Sequence, residues 1–127
     1  MIEESLIRGN KVTNIILIDN TSAEITQTEM SASKPNADGE FGRGISLLDQ
    51  SEAVIRESQI TGNPELGILL FDGSKLSLDG SLVQGSFDGI LLVRNSEAVI
   101  MNSEITENDA GIILVEESSA IITGNTI

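Results

Sequence analysis

Apolar residues in this chain come in pairs two positions apart, and the pairs return about every 22 residues. The stretch from Gly89 to Thr106, GILLVRNSEAVIMNSEIT, shows the unit, and Gly44 to Thr61, GISLLDQSEAVIRESQIT, repeats it closely. Further copies open at Gly67 and Gly111, and a weaker one opens at Asn14. Counting each copy from its opening residue, position 2 is Ile15, Ile45, Ile68, Ile90 and Ile112. Position 4 is Leu17, Leu47, Leu70, Leu92 and Leu114. Position 10 is Ala23, Ala53, Leu76, Ala98 and Ala120, and position 12 is Ile25, Ile55, Leu78, Ile100 and Ile122. Position 17 is Met30, Ile60, Val83, Ile105 and Ile127. A spacing of two is the alternation of a strand, not the 3.6-residue period of a helix. A fixed repeat of this length marks a solenoid. Each coil is therefore expected to hold three short strands whose inward side chains stack on the same residue one coil away. With coils about 4.8 Å apart, five of them make a prism about 24 Å tall with a filled core.

The coil openings at Asn14, Gly44, Gly67, Gly89 and Gly111 are 30, 23, 22 and 22 residues apart, so one coil carries an insertion. It falls at Ser31 to Arg43, SASKPNADGEFGR, with the Pro, Gly, Asn and Asp content of a loop. Residues 1–13 read as the last part of another coil, because ESLIRGN at Glu4 to Asn10 matches ESQITGN at Glu57 to Asn63. The whole chain, 1–127, reads as one solenoid domain, and the lack of capping elements at its ends suggests a segment of a longer solenoid. Small polar residues recur at two bends. Position 8 is Thr21, Ser51, Ser74, Ser96 and Ser118, and position 15 is Thr28, Ser58, Ser81, Ser103 and Asn125. Such side chains bond the backbone of tight turns. As nucleophiles they would need a base, and none accompanies them.

The pattern G-I-x-L, a Ser or Thr, A-x-I, a Ser, Thr or Asn, and then an Ile-like residue resembles the right-handed parallel β-helix repeat of the pectate-lyase-like superfamily. The resemblance covers nearly the whole chain and implies an all-β fold, a right-handed parallel β-helix of about five coils. It implies a first sheet from positions 2–6, a second from 9–13 and a third from 16–18. The turn between the second and third sheets would be tight, and the turn back to the first would tolerate insertion. An extracellular or cell-surface setting is also implied. Activity is not, since members of that superfamily range from lyases, hydrolases and epimerases to tailspikes, adhesins and non-catalytic modules.

Charge and composition narrow the function. Seven basic and 20 acidic residues give a net charge of −13. Binding to nucleic acid or to an anionic membrane needs a basic face and is not expected. No apolar run approaches the roughly 20 residues of a membrane span, and the acidic start MIEESLIRGN lacks the apolar core of a signal peptide. The chain has no Cys and no His, which removes disulfides, thiol chemistry and the commonest general base. The G-H-G, paired-aspartate and R-I-K elements of polygalacturonase-like members are missing, as is the D-P-H-D element of epimerase-like members. No catalytic residue is assigned; the missing motifs weigh against an enzyme and leave the question of activity open.

Two candidate sites remain. Position 6 is Asp19, Asp49, Asp72, Arg94 and Glu116. Three aspartates in a row about 4.8 Å apart repel one another and would accept a hard cation. Calcium held by Asp19, Asp49 and Asp72, with Asp38 and Glu40 of the inserted loop reaching over, is the one cofactor suggested. The other reading of this row is a solvated strand end in which Arg94 pairs Asp72 and Glu116.

The second candidate is the outward side of the first sheet. Position 3 is Ile16, Ser46, Leu69, Leu91 and Ile113, and position 5 is Ile18, Leu48, Phe71, Val93 and Val115. Nine of these ten are apolar. Outward positions on the third sheet are mostly polar, and those on the second are mixed. A parallel strand that is apolar on both sides is one covered on both sides. The inserted loop, led by Phe41, could cover part of this stripe. The stripe as a whole, Ile16, Ile18, Leu48, Leu69, Phe71, Leu91, Val93, Ile113 and Val115, reads as a protein-binding surface.

The expected function is thus a structural and interaction module that self-associates or docks a protein partner. The alternative is a segment of a polysaccharide-active or tailspike-like protein whose catalytic residues lie elsewhere. Polysaccharide binding is the weaker partner class, because sugar faces dock on aromatic rings and the chain has only Phe41, Phe71 and Phe87.

Overall fold

The inward columns form one hydrophobic core in the computed structural model, which describes residues 1–39 and 41–127. Among the described residues all regular structure is strand. The partial first coil gives β1 (Ile2–Glu3) and β2 (Leu6–Arg8). The next coils give β3 (Thr13–Leu17), β4 (Ser22–Thr26), β5 (Glu29–Ser31), β6 (Arg43–Leu47), β7 (Glu52–Arg56) and β8 (Gln59–Thr61). They are followed by β9 (Leu66–Phe71), β10 (Lys75–Asp79), β11 (Leu82–Gln84), β12 (Asp88–Val93), β13 (Glu97–Met101) and β14 (Glu104–Thr106). The last coil gives β15 (Ala110–Leu114) and β16 (Ser119–Thr123).

Every third strand joins the same sheet. The first sheet is β3-β6-β9-β12-β15, the second β1-β4-β7-β10-β13-β16 and the third β2-β5-β8-β11-β14. All pairings are parallel, and like pairs with like: Ile45 with Ile68, Leu70 with Leu92, Ile55 with Leu78, Ile60 with Val83. Residues 1–13 supply strands to the second and third sheets, with Ile2 paired to Ile25 and Ile7 to Met30.

The second and third sheets keep the expected bounds, positions 9–13 and 16–18. The first sheet does not. It starts one residue before the coil-opening glycine and ends at position 4 or 5, not 6. The glycine is inside the strand because the chain crosses close over the core there. A Cβ on Gly44, Gly67 or Gly89 would lie 2.5–2.6 Å from the carbonyl oxygen of the next coil's glycine. Position 6 is outside because it turns. Positions 6 and 7 both have positive φ in every coil, as in Asp49 (53°) and Gln50 (62°), so the first bend is built from two consecutive left-handed residues. The second bend has one, at position 14, and the third has one at position 19, joined by Val12 in the partial coil and by Gly39, Phe41 and Gly42 in the inserted loop.

The hydroxyl columns hold the second bend together. The Ser58 and Ser81 backbone N–H groups donate to Oγ of Ser81 and Ser103 in the next coil, each at 3.1 Å. The same hydroxyls donate back to a carbonyl two residues earlier, Ser81 Oγ to Asp79 O at 3.0 Å. Ser5 begins this column in the partial coil and Asn125 ends it. A further column at the third bend, Ser33, Asn63, Ser86 and Asn108, escaped the sequence reading. Asn63 is fully buried. Its Nδ2 donates to Met30 O at 3.0 Å, and its Oδ1 accepts from Ser33 N at 3.2 Å and from Asn14 Nδ2 at 3.1 Å. Asn108 repeats the motif, bonding Ser86 N and Val83 O.

Two outcomes follow. Asn63→Ala removes the side-chain partner of Ser33 N and Met30 O and one of the two bonds of Asn14 Nδ2, and should lower stability by about 2–4 kcal/mol in denaturant unfolding. Leu92→Asp places an unpaired carboxylate in a fully buried site and should abolish cooperative unfolding. A folded Leu92→Asp protein with native circular dichroism would contradict the inward register.

Candidate functional site

The outer face of the first sheet is built by β3, β6, β9, β12 and β15, which hold positions 3 and 5 at coil spacing along one flat surface. Ile16 is 53% exposed, and Ile18 and Val115 are also open to solvent. Leu48, Phe71, Leu91, Val93 and Ile113 are half-buried. Leu69 departs from the expected open stripe: it is only 7% exposed, and Ser46 beside it is buried. Leu69 sits between Ser46 and Leu91 in the middle of the sheet, with the buried Leu66 on its own strand. Side chains at coil spacing shield one another, most where neighbours stand on every side. The face is therefore a closed apolar surface at its centre with more open ends.

Two charged rims border it. On the first-bend side, the Arg94 guanidinium lies 4.8 Å from the centre of the Phe71 ring, one coil below. It forms ion pairs with Glu116 at 3.1 Å and Asp72 at 3.6 Å. On the other side, at the residue preceding each glycine, Arg43 packs 4.6 Å over the Phe41 ring and donates to Glu65 at 3.1 Å. Asp88 occupies the same place two coils on. Burial, reinforced by the neighbouring carboxylates of Glu65 and Asp109, pushes the Asp88 carboxyl above its ordinary value.

The proposed calcium ligands are not brought together. Among the described residues no group of three or more acidic side chains converges on a point that could hold a metal ion. Asp72 is engaged by Arg94. The carbonyls of Asp49 and Asp72 accept the backbone N–H of Asn20 and Gln50 at 2.8 and 3.0 Å. Asp38 sits in the exposed part of the inserted loop, where its N–H donates to Asn36 Oδ1. Glu40, the other loop acid, lies outside the described residues. The loop itself packs on the third bend: Gly42 and Arg43 donate to Val12 O, and Pro35, Gly39, Phe41, Pro64 and Glu65 line a cleft between loop and bend. Phe41 thus reaches the rim of the apolar face through Arg43.

A family model for the right-handed β-helix region matches residues 1–127. The chain belongs to this family. Compared with curated proteins and with solved structures, it matches none. Membership in the right-handed β-helix family fixes the architecture and leaves the chemistry to the site. In this β-helix the site offers an apolar surface with charged rims. The position-6 row is part of a rim, and Arg94 within it was legible as a partner for Asp72 and Glu116. Its stacking on Phe71 was not, since that contact depends on the rotamer and on the left-handed bend. The opposite rim, Arg43 and Asp88, was missed because those residues lie before the glycine taken as the start of the coil.

Asp88 gives a pH dependence with a definite sign. A carboxyl whose folded pKa is raised binds its proton more tightly in the folded chain, so its ionisation at neutral pH costs stability. That cost disappears as pH falls through the raised pKa. At concentrations where the chain is monomeric, Asp88→Asn should melt slightly higher than the parent at pH 7, and the two should converge below pH 4. Melting curves in millimolar calcium and in chelator should coincide, because a ligand that does not bind the native state does not shift it.

Proposed function

We propose that this β-helix is a non-catalytic structural and interaction module whose first-sheet outer face docks a protein surface, in the simplest case that of a second copy. The observation that carries the reading is the contrast between faces. The first sheet presents apolar side chains at both outward positions in nearly every coil, whereas the third presents Glu29, Gln59, Glu104, Thr61 and Gln84. Among the described residues nothing else covers the apolar row, since the described part of the inserted loop packs on the third bend.

The energetics favour this reading. Fully burying one such side chain contributes about 1.5–3 kcal/mol, so half-burial of the eight that are not already covered contributes about 6–12 kcal/mol per protomer. A symmetric pair doubles this, against an association cost of about 4–15 kcal/mol. The net charge of −13 opposes pairing, but salt screens that repulsion beyond about 8–10 Å. Association should therefore tighten as salt rises, by sedimentation or light scattering. The double change Phe71→Lys with Val93→Lys places charge at the centre of the face and leaves the inward columns intact. It should give a folded monomer. Wild-type protein that stays monomeric at high micromolar concentration, with no partner bound, would overturn self-association.

Incubated with polyuronates, the chain should release no product. Turnover that disappears in Asp49→Asn would replace this reading with an enzymatic one.

A further inference from the structure

The rims specify how two copies meet. Numbering again from the coil-opening residue, one rim is position 0 and the other is position 6. In the second coil these are Arg43 and Asp49, and in the fourth they are Asp88 and Arg94. The sign is reversed across the strand in both coils. The remaining coils have a neutral residue at position 0: Thr13, Leu66 and Ala110.

Two sheets can stack face to face about a two-fold axis lying in the plane between them. If the axis runs along the coil stack, each strand lies antiparallel over the same strand of its copy, and position n faces position 6−n. Arg43 then faces Asp49, Asp88 faces Arg94, and no two like charges oppose each other. Position 5 faces position 1, so Phe71 and Val93 sit over Gly67 and Gly89, whose missing Cβ atoms would point toward the inward Val83 and Ile105 and not onto the outer face. If the axis runs along the strands, coil order is reversed. Arg43 then faces Asp88 and Asp49 faces Arg94, but Asp72 faces itself and Asp19 faces Glu116, two like-charged contacts. Opposite charges favour an interface register and like charges oppose it.

Resting on the self-association reading above, we propose that two copies pair across their first sheets about a two-fold axis parallel to the coil stack, with Arg43 opposite Asp49 and Asp88 opposite Arg94. Three of these groups are left ready for a partner, whereas Arg43 is already held by Glu65 and Phe41 and reaches Asp49 only by sharing its guanidinium. The Asp88 carboxylate has no hydrogen bond or ion pair among the described residues, and neither has that of Asp49. The Arg94 ion pairs are more than half exposed on the arginine side, so they hold it weakly and leave guanidinium donors to share. The raised carboxyl of Asp88 also fits a site that lacks a cation within the protomer. The footprint agrees in size. Five strands about 4.8 Å apart and about 20 Å long give a flat area of roughly 480 Å², and the pair reaches about 1,000 Å² in total, the lower end of specific interfaces. Opposed sheets lie about 10 Å apart, which a short bis-maleimide can span.

The absence of cysteine makes the test direct, because an introduced thiol is unique. Position 3 lies on the axis, so Ile16→Cys and Ile113→Cys should each cross-link to its own copy. A mixture of the two variants should give no product joining one variant to the other, since the two coils are about 19 Å apart along the stack. A thiol on the third sheet, Glu104→Cys, is the control for random collision and should stay monomeric. Asp88→Arg should weaken dimerisation at least tenfold by sedimentation, and Asp88→Arg with Arg94→Asp should recover most of it. Under the reversed coil order the double change would instead set like charges against Arg43 and Asp49 and recover nothing. A dominant mixed product between the two thiol variants would overturn the proposed axis and leave self-association standing. A dimer in sedimentation that cross-links at neither position would show that another face is used. A monomer throughout would remove both this proposal and the reading it rests on.

Discussion

Everything in this structure depends on one requirement: a side chain that points inward must fit against its counterpart one coil above and one coil below. Parallel strands in register set that distance, and the columns of Ile and Leu at positions 2, 4 and 12 satisfy it with side chains of nearly constant volume. Where a column changes size, its neighbours absorb the change. Leu76 stands among alanines at position 10, yet it and Ala53 and Ala98 are all buried. The bends obey the same requirement in polar form. At position 15 a hydroxyl serves its own turn and the turn of the preceding coil at once, and at position 20 the amides of Asn63 and Asn108 pair backbone groups of the preceding coil.

This explains which parts were legible in the sequence. Columns repeat by residue type, so they can be read by aligning the chain with itself, and the hydroxyl bends repeat in the same way. Features that arise between coils without a repeating residue were not legible. Leu69 looked like a member of an open stripe, and only its position in the middle of five strands covers it. The first strand was placed too late because glycine suggested a turn, whereas here it permits close passage of the backbone over the next coil. The left-handed pair at positions 6 and 7 is occupied by Asp, Asn, Gln, Gly, Arg and Glu in different coils, too varied to announce a fixed backbone conformation. The expected calcium row treated the aspartates as a ladder of free carboxylates. Arg94 engages the Asp72 carboxylate, the described acids do not converge on one point, and Asp38 lies on a loop that packs elsewhere.

The outer surface carries a different kind of information from the core. Inside, each coil repeats its neighbour. Outside, the coils differ, and the differences are where recognition resides. Arg43 and Arg94 each cap an aromatic ring while pairing with glutamate, so both cations stand at the border between the apolar face and water. The face between them keeps its apolar character from coil to coil although its residues change from Ile to Leu to Phe to Val.

The third bend has a further consequence. Asn63 and Asn14 fasten the chain beside the place where the inserted loop leaves the stack after Ser33 and re-enters it at Arg43, and the strands before and after that segment keep their register. The length of the departing segment is thereby uncoupled from the geometry of the coils. Over evolutionary time such a bend can lengthen, shorten or exchange its sequence without any compensating change in the core. The repeat supplies a constant chassis, and the third bend is the place where lineages sharing it can diverge.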